Sequence, residues 1–554
     1  MNKPGPAPPA PSSAAAASPA PVWVDHPLLR REALEDRAYQ RNIAATAAKR
    51  STLVILPTGL GKTAIAIRVI ADVLRSHGGK ILFLAPTKPL VLQHATSIRA
   101  ALIAEPVAVM TGENAPEDRE AEWRESKIVV ATPQVIENDL REGRHSLEEV
   151  SLTVFDEAHR AVGDYAYVAV GAHYEGLVLA MTASPGSSAD KIVEVCRNLR
   201  IPLGHWEIRS PLDPDVAEYV HAISFEKVLV EVPEDARPVI ARLRALYNLV
   251  LDEMKRKQWL SAPRPTLRDL LALGDEARRR LDAGDQDRVL YQVLSKQAIA
   301  VKLSHAVELA ETQGLAALRA YLDRLEKDTR TRANRSLLKD RTFQEVLALV
   351  RIPQADHPKV RATAAVVGQE LRQKPEARVI VFAHYRDTVD FLVGRLGGVE
   401  GVRAARFVGQ AAREEGAGLT QREQAELLDQ FRAGQVNVLV STSIGEEGLD
   451  IPEVDLVVFY EPVPSEIRTI QRRGRTGRAR AGRMVLLVTR DTRDEAYMYS
   501  ARRKERKMHE ELTRLREALN QMRLDPRPTA PPDPREQPST PPAKGGQASL
   551  GDFR

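Results

Sequence analysis

The 554-residue sequence holds one cysteine, Cys196. A single thiol excludes an internal disulfide framework and fits a reducing compartment. No His or Asp pattern surrounds Cys196, so it reads as a small buried residue and not as a nucleophile. Long hydrophobic runs are also missing, and none reaches the length that a bilayer crossing demands. Charge of one sign is scarce: 80 Lys and Arg against 75 Asp and Glu leave only +5. That balance permits a nucleic-acid partner without requiring one. The opening "PGPAPPAPSSAAAASPAP" lacks the apolar centre of a secretion signal and reads as a disordered tail over residues 1–24. These absences set the expectation of a soluble, intracellular protein.

What is present is length and periodicity. The chain is too long for one core. Short Val/Ile/Leu runs alternate with helical patterns in two stretches, the pattern of parallel α/β domains with strands buried on both faces. The first stretch, 25–230, holds "TLVILP", "KILFLAP", "KIVVATP", "LTVFDE" and "LVLAMTAS"; the second, 351–523, holds "RVIVFAH", "VNVLVSTS", "VDLVVFYE" and "RMVLLVT". Between them, over 231–350, the β-rich runs vanish and Leu, Ala, Arg and Glu dominate. This predicts an all-helical insert. It carries basic clusters at Lys255–Trp259, Arg278–Arg280 and Lys327–Arg341. Each alone is an ordinary solvated face; together they favour a nucleic-acid contact. After Thr489 comes a charged helix with Met508, Leu512, Leu515, Leu519 and Met522 spaced by four and three, which predicts packing back on its own domain. Residues 524–546 turn to Pro, Gly, Ser and charge and read as a flexible linker.

Leu56 to Thr63, "LPTGLGKT", nearly spells G-x-x-x-x-G-K-S/T, with Leu56 in place of the first glycine. A strand ("STLVILP") precedes it and a helix ("KTAIAIRVIADVL") follows, as a phosphate cradle needs. Pro57, Thr58, Gly59, Leu60 and Gly61 form the wrap, Lys62 reaches the β- and γ-phosphates, and the Thr63 hydroxyl binds Mg²⁺. The strand "LTVF" then delivers Asp156 as the metal carboxylate and Glu157 to polarise the attacking water. In the second α/β stretch, "QRRGRTGR" (Gln471–Arg478) supplies Arg475 and Arg478 as candidate arginine fingers for the developing phosphate charge. Three matched parts in order make a chance match a poor account.

The motif set resembles the superfamily 2 DEAH-type helicases, which have two RecA-like parallel-sheet domains. In order stand Gln40 in "RAYQ", the loop, "APTKPLV", Thr111-Gly112, "ATPQ", "DEAH", "TAS" (Thr182–Ser184), "STSIGEEGLDIP" and "QRRGRTGR". The strings "FDEAHRAVGDYAYV", "DPDVAEYV", "GLTQREQ" and "NVLVSTSIGEEGLDIPEVDLVVFYEPVPSEIRTIQRRGRTGR" are similar to the Hef/FANCM helicases, which act on forked and branched DNA and carry a helical insert in the same place. The resemblance covers nearly everything from His26 to about Met508. It implies ATP and Mg²⁺ as cofactors, adenine read by Gln40 with Tyr39 or Arg37 nearby, and Gly448 and Asp450 at the nucleotide cleft. Gln471 would join the arginines in catalysis, and His159, Thr182 and Ser184 would couple hydrolysis to movement. Thr87, Lys88, Thr111, Gly112, Thr132 and Thr442 would touch the DNA backbone, which positions a protein without reading sequence. The implied polarity is 3′ to 5′.

Two departures shape the expectation. Too little chain follows Arg478 for the XPF-type nuclease and helix-hairpin-helix repeats of longer Hef proteins, so the chain is expected not to cut DNA itself and to use a separate nuclease. The ending "QASLGDFR" places Gln547, Leu550 and Phe553 at the spacing of a box (547–554) that binds a PCNA-type sliding clamp. That partner points to a prokaryotic, archaeal cytoplasm. Two other functions stay open: a duplex-RNA motor of the RIG-I-like and Dicer type, and an ATP-gated, clamp-bound scaffold that recruits repair partners.

Overall fold

The structure, a computed structural model, describes residues 21–103, 106–184, 189–220, 223–352, 355–409, 418–442, 452–463 and 482–524. Lobe 1 is built on the parallel strands β1 (Thr52–Ile55), β2 (Lys80–Leu84), β3 (Val107–Met110), β4 (Ile128–Ala131), β5 (Val150–Phe155), β6 (Leu177–Thr182) and β7 (Trp206–Ile208), in the order β3-β4-β2-β5-β6-β1-β7. Successive side chains feed opposite faces of the sheet. Val54, Phe83 and Val154 enter a core shared with α1 (Ala38–Ala47), α2 (Lys62–Ser76) and α3 (Lys88–Ala101). Leu53, Leu84 and Phe155 enter a second core with α5 (Pro133–Arg141), α6 (Ala166–Ala172) and α7 (Ala189–Asn198), while α4 (Pro116–Glu125) follows β3. Cys196 is buried on α7, where the Trp206 indole N–H donates to its sulfur at 3.1 Å. Burial pushes its thiol up to about 11, so it is the inert residue expected.

Lobe 2 corrects one boundary. The stretch up to 230 was assigned to the first domain, yet β8 (Ile223–Val230) runs parallel to β13 (Gly482–Thr489) over eight residue pairs in the second sheet. The other strands there are β9 (Val379–Phe382), β10 (Ala404–Phe407), β11 (Val438–Ser441) and β12 (Leu456–Phe459), ordered β10-β11-β9-β12-β13-β8. Tyr219 and Val220 still pack on the lobe 1 core, so the chain changes lobe just before β8. The physical reason is a backbone one: with Lys227 and Glu226 on a half-solvated edge, β8 is held by ladder hydrogen bonds and not by a continuous apolar run.

The helical insert follows β8 as expected, in α8 (Arg237–Arg256), α9 (Leu267–Asp282), α10 (Arg288–Thr312), α11 (Leu315–Lys327), α12 (Arg332–Lys339) and α13 (Arg341–Arg351). Its own core includes Leu243, Leu303, Leu318 and Phe343. The insert is therefore spliced into lobe 2, between β8 and α14 (Pro358–Gln373). The joint is polar and buried. Lys359, fully buried on α14, lies 2.5 Å from Asp494 and donates to the Thr312 carbonyl of α10 at 3.2 Å. Gln313 donates to Glu461 at 3.2 Å and accepts from Thr388 at 2.8 Å. Burial, then the neighbouring Lys359 charge, pushes His357 down to about 3, which keeps its ring neutral beside the Glu311 carbonyl.

Lobe 2 is completed by α15 (Arg386–Leu396) and α16 (Gln421–Arg432), which opens with a Thr420–Glu423 capping box within the "TQREQ" string. The last helix, α17 (Arg493–Leu524), departs from expectation. Its stripe does not stay on lobe 2: Leu512 and Leu515 pack against the second core of lobe 1. The side chains of Leu519 and Met522 lie outside the described ones. A surface of its own domain was expected because the spacing shows an apolar face but not which core receives it.

Candidate nucleotide site and comparisons with known proteins

The strand register brings the lobe 1 motifs to one edge. Ile55 pairs with Thr182, Leu84 with Phe155 and Ala131, and Ala131 with Met110. The carboxyl ends of six strands thus form one row, where open α/β sheets hold their ligands. The loop Leu56–Gly61 follows β1, Thr87 and Lys88 follow β2, Thr111 and Gly112 follow β3, Thr132 follows β4, Asp156 and Glu157 follow β5, and Thr182 and Ser184 end β6.

Leu56 is fully buried and its N–H donates to the Thr182 carbonyl at 3.0 Å, so the position that departs from the motif serves the core and not the cradle. Gly61 sits at φ +74° as the residue before α2, and an added Cβ would come within 2.5 Å of Gln40 Nε2. The positive φ calls for glycine there, and any larger residue would also have to displace the Gln40 amide. Gln40 and the Tyr39 hydroxyl both donate to the Leu60 carbonyl, at 3.1 and 2.8 Å, and so brace the loop. The Tyr39 ring lies tilted at 57° to Tyr219, 5.6 Å between centroids, and Arg37 lies over the Tyr219 ring at 4.8 Å. Lys62 and Thr63 are the first two residues of α2, at the helix N-terminus that follows the loop.

Asp156 is buried, and its Oδ2 lies 2.9 Å from His94 Nε2. Burial lifts its carboxyl, but the His94 ring and the Lys62 ammonium outweigh that and hold it below the usual carboxylate range. His94, on α3, was missed by sequence reasoning: it gives no pattern with a partner 62 residues away. Tyr167 also braces the turn, donating to the Asp156 carbonyl at 2.6 Å. Glu157 is held at φ 48°, ψ 47°, a left-handed conformation that costs a non-glycine residue about 1–3 kcal/mol and concentrates at functional sites. His159 Nδ1 lies 3.3 Å from Glu157 Oε2 and 3.1 Å from Thr182 Oγ1.

These residues fit a magnesium nucleotide. One ionised carboxylate beside one hydroxyl leaves the other positions to phosphate oxygens and water, as Mg²⁺ prefers. Among the described residues no group of three or more His, Cys, Asp or Glu could hold a metal unaided. A His94→Ala chain is expected to need about 10- to 100-fold more Mg²⁺ for half-maximal ATPase, because the carboxylate loses its orienting partner. A magnesium titration of turnover checks this, and an unchanged midpoint would refute the role.

For the nucleic-acid residues the placement is partial. Thr87 Oγ1 is buried with no hydrogen-bond partner among the described residues. Lys88 pairs with Glu113, Thr111 is capped by Asn114 at 2.9 Å, and space around Gly112 is open. Thr442 stands at the carboxyl end of β11 in lobe 2. Arg278, Arg279 and Arg280 each face an acid, Asp275, Glu276 and Asp285, so that cluster is locally neutralised. Gly448, Asp450, Gln471, Arg475, Arg478, Gln547, Leu550 and Phe553 lie outside the described residues. Among the described residues no helix is long and apolar enough to cross a membrane.

Two parallel-sheet lobes, a helical bundle and this loop-and-carboxylate edge define the RecA-like helicase class. The DEAD/DEAH box helicase family matches residues 37–192, the helicase conserved C-terminal domain 362–480, and a helical bundle of a putative ATP-dependent RNA helicase 240–357. The chain is an ATP-dependent helicase of superfamily 2. Within that class it belongs to the Hef/FANCM-type family. It is similar to the crystal structure of the Pyrococcus furiosus Hef helicase domain, at 46% identity and a TM-score of 0.64, over 86% of this chain and 100% of that one. A putative ATP-dependent RNA helicase of Methanocaldococcus jannaschii is 39% identical over 90% of this chain. The ATP-dependent DNA helicase mph1 of Neurospora crassa is 34% identical over 83%. The chain spans 63% and 41% of the lengths of these two relatives.

Proposed function

We propose that the chain is an ATP-driven DNA motor that moves 3′ to 5′ and remodels forked or branched DNA in replication and repair. The observation that carries this reading is the single row at the carboxyl edge of lobe 1. There a braced phosphate loop, the ionised Asp156 and the strained Glu157 stand beside Thr87, Thr111 and Thr132. Lys62 and the loop N–H groups would hold the β- and γ-phosphates, and Thr63 and Asp156 would hold Mg²⁺, which supplies charge neutralisation there. Glu157 would take the proton of the attacking water. Arg475, Arg478 and Gln471 would face the γ-phosphate from lobe 2, with Gly448 and Asp450 beside them and Thr442 on the DNA.

DNA is preferred over RNA because the Hef-type strings run through both lobes and because the fungal relatives are named as DNA helicases. An RNA substrate is the second reading, favoured by the printed name of the Methanocaldococcus relative. ATPase stimulation by forked DNA, plain duplex DNA and duplex RNA separates them. Forked DNA is expected to stimulate most, and stimulation by RNA alone overturns the DNA reading. Strand displacement on 3′- and 5′-tailed substrates tests the polarity. Spacing alone supports docking of Gln547, Leu550 and Phe553 on a PCNA-type clamp.

A further inference from the structure

The helix α17 ties the two lobes together at a point that bears on catalysis. Its first turn is fixed to lobe 2 and the insert: Asp494 sits in the Lys359 joint, and Arg493 reaches Glu308 and Ser304 at 3.2 and 3.0 Å. Its later turns lie on lobe 1. Met508 is only 2% exposed, and the Ser184 hydroxyl donates to its sulfur at 3.4 Å. Leu512 and Leu515 follow on the same face, and Arg516 pairs with Asp213 at 2.6 Å.

From Met508 the contacts continue without a break. The Ser184 N–H donates to Thr182 Oγ1 at 3.1 Å. That oxygen lies 3.1 Å from His159 Nδ1, which is 3.3 Å from Glu157 Oε2. A lobe 2 helix therefore ends a line of touching polar groups that begins at the carboxylate assigned to the attacking water. A thioether is a weak acceptor, so Met508 acts chiefly by filling the space against Ser184.

We propose that α17 is a strap that passes the position of lobe 2 to Glu157 through Met508, Ser184, Thr182 and His159, with Met508 a positioning residue for hydrolysis. The proposal rests on the ATPase reading above. A helix of 32 residues, roughly 48 Å long at about 1.5 Å per residue, cannot stretch. Any change in lobe separation must then slide or lift its distal half across lobe 1. Among the described residues Met508, Leu512, Leu515 and the Arg516–Asp213 pair hold that half, a grip able to release and re-form.

The test compares Met508→Ala and Met508→Leu in the full chain, with ATPase at saturating forked DNA and hydrogen exchange along α17. Met508→Ala is expected to lower DNA-stimulated kcat about tenfold, with KM for ATP within about twofold and faster exchange over residues 505–517. Met508→Leu, which refills the volume, is expected to return kcat to within about threefold. A Met508→Ala chain with wild-type kcat overturns the strap, as does a Leu that fails to rescue or a KM that worsens in step with kcat. A wild-type chain whose ATPase no nucleic acid stimulates overturns the function reading instead, which keeps the two failures apart.

Discussion

Replacing Glu157 by Gln is expected to lower maximal ATP turnover by about 10³-fold while leaving nucleotide and DNA binding within about threefold of wild type. Gln keeps the shape of Glu and can still meet His159 Nδ1, now at 3.3 Å from Glu157 Oε2. It cannot accept a proton from water. The groups proposed to bind, Lys62, Thr63 and Asp156, are untouched, so the loss is expected on kcat and not on affinity. The left-handed backbone at φ 48° is equally strained for either residue, so folding should not change. Single-turnover hydrolysis beside nucleotide binding checks this, and turnover within tenfold of wild type would remove Glu157 from the role. The same variant decides the scaffold alternative: if junction processing in cells survives it, ATP turnover is not what the chain contributes.

Lys359→Ala is expected to destabilise lobe 2 and its insert by about 3–5 kcal/mol, the usual cost of breaking a buried ion pair. The change strands Asp494, which is 1% exposed, and frees the Thr312 carbonyl of α10. It also empties the space in front of the Tyr460 ring, 5.3 Å from the ammonium. Lys359→Met combined with Asp494→Leu should cost much less, because no charge is left unpaired. Among the described residues lobe 1 shares no side chain of this joint, so the fold of lobe 1 should be kept. Thermal unfolding and limited proteolysis read the separate loss of lobe 2. A cost below about 1 kcal/mol for Lys359→Ala would show that the joint is not what holds the insert.

The inner strands were legible because both faces of each are buried, which forces runs such as "KILFL" and "VIVF". The edge strands were not. "VAVM" and "AARF" are only half covered, and "ISFEKVLV" is exposed over its first five residues, so no apolar run marks them. Missing β8 in turn displaced the lobe boundary. In the site, Gly59, Lys62 and Asp156 were readable because each falls in a short run that directly follows an apolar strand, whereas Thr182 entered only through the family resemblance. His94 and Met508 were not, since each acts through a partner far away in the chain, Asp156 and Ser184. The helical insert was legible as a bundle but not as a part of lobe 2, because the polar joint at Lys359 and Gln313 leaves no compositional trace.

The pairing of β8 with β13 also dictates an order of assembly on the ribosome. Glu226 and Arg483, in contact at 2.7 Å, are 257 residues apart. Lobe 1 can close as soon as β7 emerges, and the bundle soon after, but β8 must wait with an open ladder until nearly the whole chain has been made. Nascent chains stalled short of residue 482 should therefore present that unpaired edge to chaperones.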